Sequence, residues 1–377
     1  MTKVIIGLSG GVDSSVSAWL LKQQGYQTEA LFMRNWDSAL NNDISGNPDL
    51  NDPICPQETD FQDAILVANQ IGIPLHRHDF IKEYWEDVFQ YFLSEYRKGR
   101  TPNPDILCNK YIKFKAFLDV ALTMGADKIA MGHYARVREH QGEYQLLKAL
   151  DENKDQSYFL CQLTQEQLKY VIFPIGELTK PEVRKIADEH HLATATKKDS
   201  TGICFIGERH FADFLSNYLP AKPGKVITDQ SVVIGEHQGL MYYTIGQRKG
   251  LGIGGNKTLG NDPWFVIGKN LETNTLMVGQ GYRHPLLLAN RCTVEAINWI
   301  PKNRFTGVLS CFAKFRYRQK DIPVQLRWLN EQSIEVRCQE PVLAITPGQA
   351  AVFYQDDVCL GGGTIDQVFM DEIKRNY

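Results

Sequence analysis

Several things are missing from this 377-residue chain. No stretch approaches eighteen consecutive apolar residues, which excludes a membrane-spanning helix. The eight cysteines, at 55, 108, 161, 204, 292, 311, 338 and 359, form no C-x-x-C pair. That argues against a structural zinc site and against a disulfide framework. The string G-x-x-x-x-G-K-S/T is absent, so the chain is not a P-loop NTPase. Excess charge is absent too: 41 Lys and Arg face 44 Asp and Glu, a net of −3. Global charge therefore does not point to nucleic acid, and only local patches can. Lys3 already opens a strand pattern, so no secretory leader is expected and a reduced, cytoplasmic protein is the default. The length predicts two or three domains.

What is present is concentrated at the start. The apolar run Val4 to Leu8 predicts a buried strand. It ends in Ser9-Gly10-Gly11-Val12-Asp13-Ser14, and an amphipathic helix follows, with Val16, Trp19 and Leu20 at helical spacing and Gly25 as its stop. A strand, a Gly-rich turn and a helix N-terminus make an anion site, because amide N–H groups and the helix dipole converge on it. Ser9, Ser14 and Ser15 offer hydroxyls, and Asp13 could hold Mg²⁺. The whole string after an N-terminal strand resembles the pyrophosphate loop (PP-loop) of the ATP-pyrophosphatase superfamily.

Farther along, Gln27 to Met33 predicts a second strand, with Met33 at the end where a nucleoside sits in doubly wound sheets. Residues 35–57 read as a long polar loop containing Cys55, which reads as incidental. A helix follows from Glu58 to Ile71, a strand from Ile73 to Phe80, and a helix from Ile81 to Arg97 whose aromatics read as core. Pro102 and Pro104 predict a stiff, extended loop over 97–110. Residues 97–115 hold six basic residues and one acid, Asp105. Cys108 lies there, and Lys110 and Lys113 would favour its thiolate. A fourth strand, Asp127 to Met131, ends in Gly132-His133-Tyr134-Ala135. A hairpin over Tyr134–Leu150, a polar turn at Lys154–Tyr158 and two helices follow, the second opened by Lys180-Pro181-Glu182. Cys204 sits between Gly202 and Gly207, after Lys197 and Lys198. Beyond a helix from His210 to Leu219 the composition turns to short strands and glycines. The stretch Tyr243 to Gly255 reads as a mobile loop. Residues 302–327 carry seven Lys/Arg and one acid, and Lys314-Phe315-Arg316-Tyr317-Arg318 interleaves rings and bases as single-stranded RNA readers do; the alternative is a strand with a solvated basic face.

Taken in order, Ser9–Ser14, Asn103-Pro104-Asp105 with Cys108-Asn109, Gly132–Ala135, Lys154-Asp155-Gln156-Ser157-Tyr158, Gly202-Ile203-Cys204-Phe205-Ile206-Gly207 and Thr244-Ile245-Gly246-Gln247-Arg248 resemble the tRNA-specific 2-thiouridylases over essentially the whole chain. The change of composition and the strand spacing place a small β-rich central domain at 213–281 and a β-barrel at 282–377; the resemblance implies an α/β fold with an N-terminal doubly wound parallel-sheet PP-loop domain for adenylation and thiolation (1–212) before them, and a tRNA-binding role for the barrel. It implies ATP, with Mg²⁺, held by Gly7, Leu8, Ser9, Gly10, Gly11, Val12, Asp13, Ser14, Met33 and Gly132. Asn103, Pro104 and Asp105 would line the pocket for a flipped-out wobble uridine. His133, Lys154, Asp155, Gln156, Arg316, Tyr317 and Gln349 would hold tRNA. Cys204 would carry a persulfide delivered by a sulfur-relay protein from a cysteine desulfurase. Cys108 would be the partner thiol, attacking the base or the persulfide, with a transient Cys108–Cys204 disulfide, and Asp105 would be general acid/base. No structural metal and no membrane contact are implied. Two other readings compete: another PP-loop ligase, or a non-catalytic nucleotide-sensing RNA-binding protein. Both leave the two cysteine motifs idle.

Overall fold

The computed structural model describes residues 1–45, 47, 56–199, 211–253 and 262–377. Cys55, the segment Gly202–Gly207 with Cys204, and Gly254-Gly255 lie outside the described residues.

The N-terminal unit is built on a five-stranded parallel sheet. In chain order it runs β1 (Lys3–Gly7), α1 (Val12–Gln23), β2 (Gln27–Arg34), α2 (Pro56–Ile71) and β3 (Leu75–Asp79). Next come α3 (Ile81–Tyr84), a π-type turn (Trp85–Phe89) and α4 (Gln90–Arg97). A second composite helix is α5 (Pro104–Leu107), a π-type stretch (Cys108–Ala116) and α6 (Phe117–Thr123), followed by β4 (Lys128–Ala130). The sheet order is β3-β2-β1-β4, completed by a later strand, β7 (Val171–Ile172). Ile6 lies beside Ala30 on one side and Ala130 on the other. The chain switches direction across the sheet between β1 and β4, which is where doubly wound sheets open a ligand crevice.

Alternation in β1 explains the two layers. Val4, Ile6 and Leu8 face one buried cluster with α1 and α2. Ile5 faces a second cluster holding Tyr84, Phe89, Phe92, Cys108, Ile112 and Phe117. Each such side chain contributes about 1.5–3 kcal/mol by leaving water. Of the helical aromatics over 81–97 read as core from the sequence, Tyr84, Phe89, Phe92 and Tyr96 are core and Trp85 packs against them, while Tyr91 stays outside the cluster. The polar stretch after β2 departs from that reading at its start: Trp36 is 3 % exposed and its ring lies 4.9 Å from Phe89.

Residues 135–148 form the expected hairpin, β5 (Ala135–His140) and β6 (Glu143–Lys148). It does not join the parallel sheet. After α7 (Gln165–Leu168), β7, α8 (Lys180–Glu189) and α9 (Phe211–Ser216), the central unit folds as β8 (Gly224–Thr228), β9 (Val233–His237), β10 (Trp264–Asn270) and β11 (Thr275–Gln280). Its order is β10-β11-β8-β9. The Gly-rich stretch read as a mobile loop is part of its core in the described portion: Tyr243, Ile245 and Leu251 are buried there. Burial of three apolar side chains among the glycines offsets part of the entropy of ordering the backbone.

The C-terminal unit comprises β12 (Leu288–Trp299), β13 (Val308–Lys314), β14 (Ile322–Asn330), β15 (Ser333–Leu343), β16 (Ala350–Gln355), β17 (Val358–Met370) and β18 (Ile373–Lys374). Strands β12-β15-β14-β13-β16-β17 close into a six-stranded antiparallel barrel through the β12–β17 pairing. The β5–β6 hairpin adds to the outside of β17, with Leu147 beside Val358. The N-terminal and C-terminal units thus share one sheet.

Candidate active site

The loop between β1 and α1 forms where local chemistry dictates. Gly10 has φ +72°, and a Cβ there would lie 2.2 Å from the Asp60 carbonyl, so only glycine fits. Gly11 is the N-cap of α1 in extended conformation and supplies no capping side chain. The first amides of α1 therefore keep their hydrogen-bonding capacity for an anion. Serines brace the loop from inside. Ser14 Oγ donates to Gly11 O at 3.0 Å and accepts from Ser9 N at 3.2 Å. Ser15 Oγ donates to Gly11 O at 2.8 Å and accepts from Thr194 Oγ1 at 2.9 Å. The Ser14 and Ser15 protons are thus spent on the loop.

Gly132, at the end of β4, is seated on this loop. A Cβ there would lie 2.8 Å from Ser14 N and 3.0 Å from Asp13 C. Met33 and Met131 flank Gly7 from neighbouring strands, within 3.2 and 2.7 Å of where its Cβ would be. Gly7, the Ser9–Ser14 turn, Met33 and Gly132 are therefore brought to one edge of the sheet.

A charge network beside the loop leaves no trace in the sequence pattern. Lys180 Nζ bridges Asp13 Oδ1 and Asp199 Oδ1, both at 2.7 Å. Asp13 Oδ1 also accepts from Tyr134 Oη at 2.9 Å. Asp199 receives Lys154 at 2.6 Å and Arg184 at 2.6 Å. Burial raises the Asp199 carboxyl, but the Lys154 and Lys180 hydrogen bonds outweigh it and hold the group well below the usual carboxylate range. Burial, then the Asp13 carboxylate, raises the Tyr134 phenol well above its ordinary value, so it stays a donor. In the sequence Lys180 marks only a helix start, and Lys197-Lys198-Asp199 only a basic approach to Cys204. No local signal ties residues 13, 134, 180 and 199 together.

The segment before Cys108 departs from the extended loop expected over 97–110. Asn103 is a helix N-cap, its side chain accepting from Ile106 N at 3.4 Å, and Pro104 opens α5 at the first turn. A fixed φ near −65° suits an N1 position as well as an extended one. Cys108 consequently lies inside a continuous helical run and is 0 % exposed. Asn109 Nδ2 donates to Phe159 O at 3.0 Å, and Lys110 Nζ to Gln162 Oε1 at 3.0 Å. Asp105 and Asn103 are half-buried on the first turn.

Most residues assigned to tRNA are engaged inside the protein. Asp155 is 5 % exposed and accepts from Ala149 N, Ser157 N and Ser157 Oγ. Gln156 exchanges hydrogen bonds with the Tyr134 backbone. Arg316 donates to Ile245 O at 2.8 Å, Ala344 O at 3.2 Å and Thr346 Oγ1 at 2.9 Å, pinning the barrel to the central unit. Lys314 faces Asp155 at 3.5 Å and Asp321 at 3.8 Å. The Lys314–Arg318 run is therefore not a solvated basic face. The strand end and the bend after it turn Lys314 and Arg316 inward, while the Tyr317 ring lies 4.5 Å from Phe159, whose carbonyl accepts from Asn109 of the Cys108 helix, with Arg318 above Tyr317 at 5.4 Å. Gln349 Nε2 donates to Thr101 O at 2.8 Å.

Several buried polar atoms after β2, after β4 and on the Cys108 helix lack protein partners. Both carboxamide atoms of Asn35, His133 Nδ1 and Asn109 Oδ1 have none. Burial pushes the His133 imidazole well below its ordinary value, with Lys113 adding to the effect. His133 is therefore neutral at pH 7, packed between Phe114 and Phe173.

A parallel sheet whose central strand feeds a Ser-Gly-Gly-Val-Asp-Ser turn, with a glycine of the adjacent strand seated on it, defines an ATP-pyrophosphatase-type HUP domain. Residues 2–208 match the family described as the tRNA methyl transferase HUP domain. Residues 212–280 match the tRNA methyl transferase PRC-barrel domain, and residues 289–365 the aminomethyltransferase β-barrel domain. The tRNA-specific 2-thiouridylase MnmA of Bacillus cytotoxicus is 55 % identical over 376 residues, covering 100 % of this chain and 98 % of its own. That of Salmonella arizonae is 57 % identical over 366 residues, covering 97 % of each. The chain belongs to the tRNA-specific 2-thiouridylase family. No helix among the described residues is long and apolar enough to cross a membrane.

Proposed function

We propose that this chain replaces the C2 oxygen of a tRNA wobble uridine with sulfur at the expense of ATP, in the cytoplasm. The reading rests on one observation above all: Met33, which flanks Gly7 at the mouth of the loop, belongs to the same buried cluster as Cys108, so the Cys108 helix packs beneath the strand ends that carry the loop. Residues 7–14 and Gly132 would receive ATP. Uridine O2 attacks the α-phosphorus and pyrophosphate leaves, which converts a poor leaving group into AMP. Lys180 takes the part of a phosphate-facing cation in a chain without a Walker lysine. Asp13, with Oδ1 engaged by Lys180 and Tyr134, retains Oδ2 for Mg²⁺. No cluster of three metal-binding side chains exists among the described residues. A single carboxylate fits Mg²⁺, which takes most of its ligands from phosphate and water. Mg²⁺ there would neutralise phosphate charge.

Sulfur would arrive as a Cys204 persulfide from a sulfur-relay protein fed by a cysteine desulfurase. Two orders of events balance. In one, the terminal persulfide sulfur attacks C2, AMP leaves, and the Cys108 thiolate then attacks Cys204 Sγ and frees the thiouridine. In the other, Cys108 attacks Cys204 Sγ first and releases hydrosulfide, which attacks C2. Both end in a Cys108–Cys204 disulfide that an external thiol must reduce. Asp105, on the turn preceding Cys108, would take and return the proton. Asn103 and Pro104 would line the base pocket. Lys154, Gln156, His133, Arg316, Tyr317 and Gln349 would meet tRNA after exchanging their internal partners for it, whereas Asp155 would shape its turn.

The test is tRNA nucleoside mass spectrometry with ATP, a sulfur donor and the full chain. 2-Thiouridine should appear with stoichiometric AMP and pyrophosphate; ADP and phosphate as the tRNA-dependent products would overturn the reading. Cys204→Ser should not load persulfide sulfur. Cys108→Ser should load it and fail to thiolate.

A further inference from the structure

The segment entering the Cys108 helix is held from outside the N-terminal unit. α4 is followed by Gly99, whose φ is +72° and whose N–H donates to Tyr96 O at 2.9 Å. From the central unit, Lys269 Nζ donates to Gly99 O at 2.8 Å. Leu271 packs on the same turn: a Cβ on Gly99 would lie 3.0 Å from its Cδ2. Thr244 Oγ1 meets Thr101 Oγ1 at 3.2 Å. From the barrel, Pro347 O accepts from Thr101 N at 3.0 Å, and Gln349 Nε2 donates to Thr101 O and Pro102 O. A Cβ on Gly348 would come within 2.9 Å of Thr101 N and O, so this contact is backbone on backbone. Residues 99–102 are thus gripped on both sides immediately before Asn103-Pro104-Asp105.

Lys269 is the costly member of this grip. It is 6 % exposed, lies on a core strand, and has no carboxylate partner among the described residues. Burial pushes its ammonium down to about 8. A desolvated, unpaired cation is unfavourable for folding, so packing alone would favour an apolar residue here. Its one described side-chain hydrogen bond goes to the turn that sets the entry of the Cys108 helix. Pro102 and Pro104 make the intervening residues stiff, so a displacement at Gly99 passes on to Asp105 and Cys108.

We propose that Lys269 is a positioning residue for thiolation, fixing the Gly99 turn so that Asp105 and Cys108 meet the base. This rests on the assignment of Asn103–Cys108 to the thiolation chemistry, and the two can fail separately. If the wild-type chain makes no 2-thiouridine from ATP, tRNA and persulfide sulfur supplied by a cysteine desulfurase, that assignment fails. If the wild type is active, Lys269→Met and Lys269→Arg decide the inference. Lys269→Met should keep its Tm or gain a few degrees and bind ATP and tRNA as the wild type does. Its single-turnover thiolation should fall at least about tenfold, the scale expected of a sub-ångström misplacement of reacting groups. Lys269→Arg, which can still donate to Gly99 O, should recover most of the rate. Lys269→Leu, apolar and unable to donate, serves in the same comparison should the methionine variant not fold. Wild-type single-turnover rates in the methionine or leucine variant would overturn the inference. So would a parallel loss of Tm and of ATP affinity, which would make Lys269 a structural residue only.

Discussion

Replacing Gly132 by alanine tests whether the ATP loop is set by the strand beside it. The added methyl would lie 2.8 Å from Ser14 N, 3.0 Å from Asp13 C and 3.0 Å from Ser14 Cα. Ordinary contact begins at 3.4 Å, so the backbones must part by 3.4 − 2.8 = 0.6 Å. All three neighbours are main chain of the first turn of α1, and no side chain can swing aside. Overpacking of this kind costs about 1–3 kcal/mol of stability. The larger effect falls on the nucleotide. Losing one charge-assisted N–H bond to phosphate costs about 1.5–3 kcal/mol, or roughly 10- to 150-fold in ATP affinity. Isothermal titration with ATP, thermal melting and tRNA-dependent AMP release should be measured on Gly132→Ala and on Gly125→Ala. Gly125 has φ +79°, and a Cβ there would meet nothing within 4 Å. It lies at the far end of β4 from the loop. Alanine there should lower Tm through backbone strain of about 1–2 kcal/mol and leave ATP affinity unchanged. Equal ATP affinities in the two variants, both folded, would refute the role given to the Gly132 contact.

Lys180→Met should weaken ATP binding by roughly 10- to 100-fold, on the scale of one charged hydrogen bond, and AMP binding much less. Equal losses for both nucleotides by titration would place Lys180 away from the β and γ phosphates. Asp199 is held well below its ordinary 3.8, so its contribution to stability is present above the unfolded value and is lost as pH falls through about 4 and below. Urea melts of Asp199→Asn should show a flatter acid limb than the wild type between about pH 5 and 2. An identical limb would mean that the Lys154–Asp199–Lys180 bridges do not persist in solution. Asn35 is 0 % exposed with both carboxamide atoms unpartnered by protein. Asn35→Leu should therefore raise stability by about 1–3 kcal/mol, the desolvation cost of an unmade hydrogen bond. A destabilised variant in urea would show that water satisfies the carboxamide.

Features that depend on near neighbours are legible in the chain alone. Apolar Val4 to Leu8 followed by two glycines and Asp13 can form little but a buried strand running into an anion-receiving helix start. The helix break at Gly25 and the alternation after Pro220 likewise set class and layout. Proline's meaning at 102 and 104 is not local. The same φ serves an extended loop and an N1 position, and only the Asn103 cap and the packing of Ile106 and Cys108 against the aromatic layer choose the helix. Charge is the least legible feature. Lys314 and Arg316 alternate with rings as an RNA-facing strand would, yet closure of the barrel turns them onto Asp155, Ile245 O and Ala344 O. Tyr243, Ile245 and Leu251 look too glycine-diluted to pack, and the central sheet buries them. The Asp13–Lys180–Asp199 bridge and the Lys269–Gly99 bond join residues 167, 19 and 170 positions apart in the chain. Ion pairs and hydrogen bonds fall off within a few ångströms, and no spacing or period along the chain records which side chains folding will bring that close.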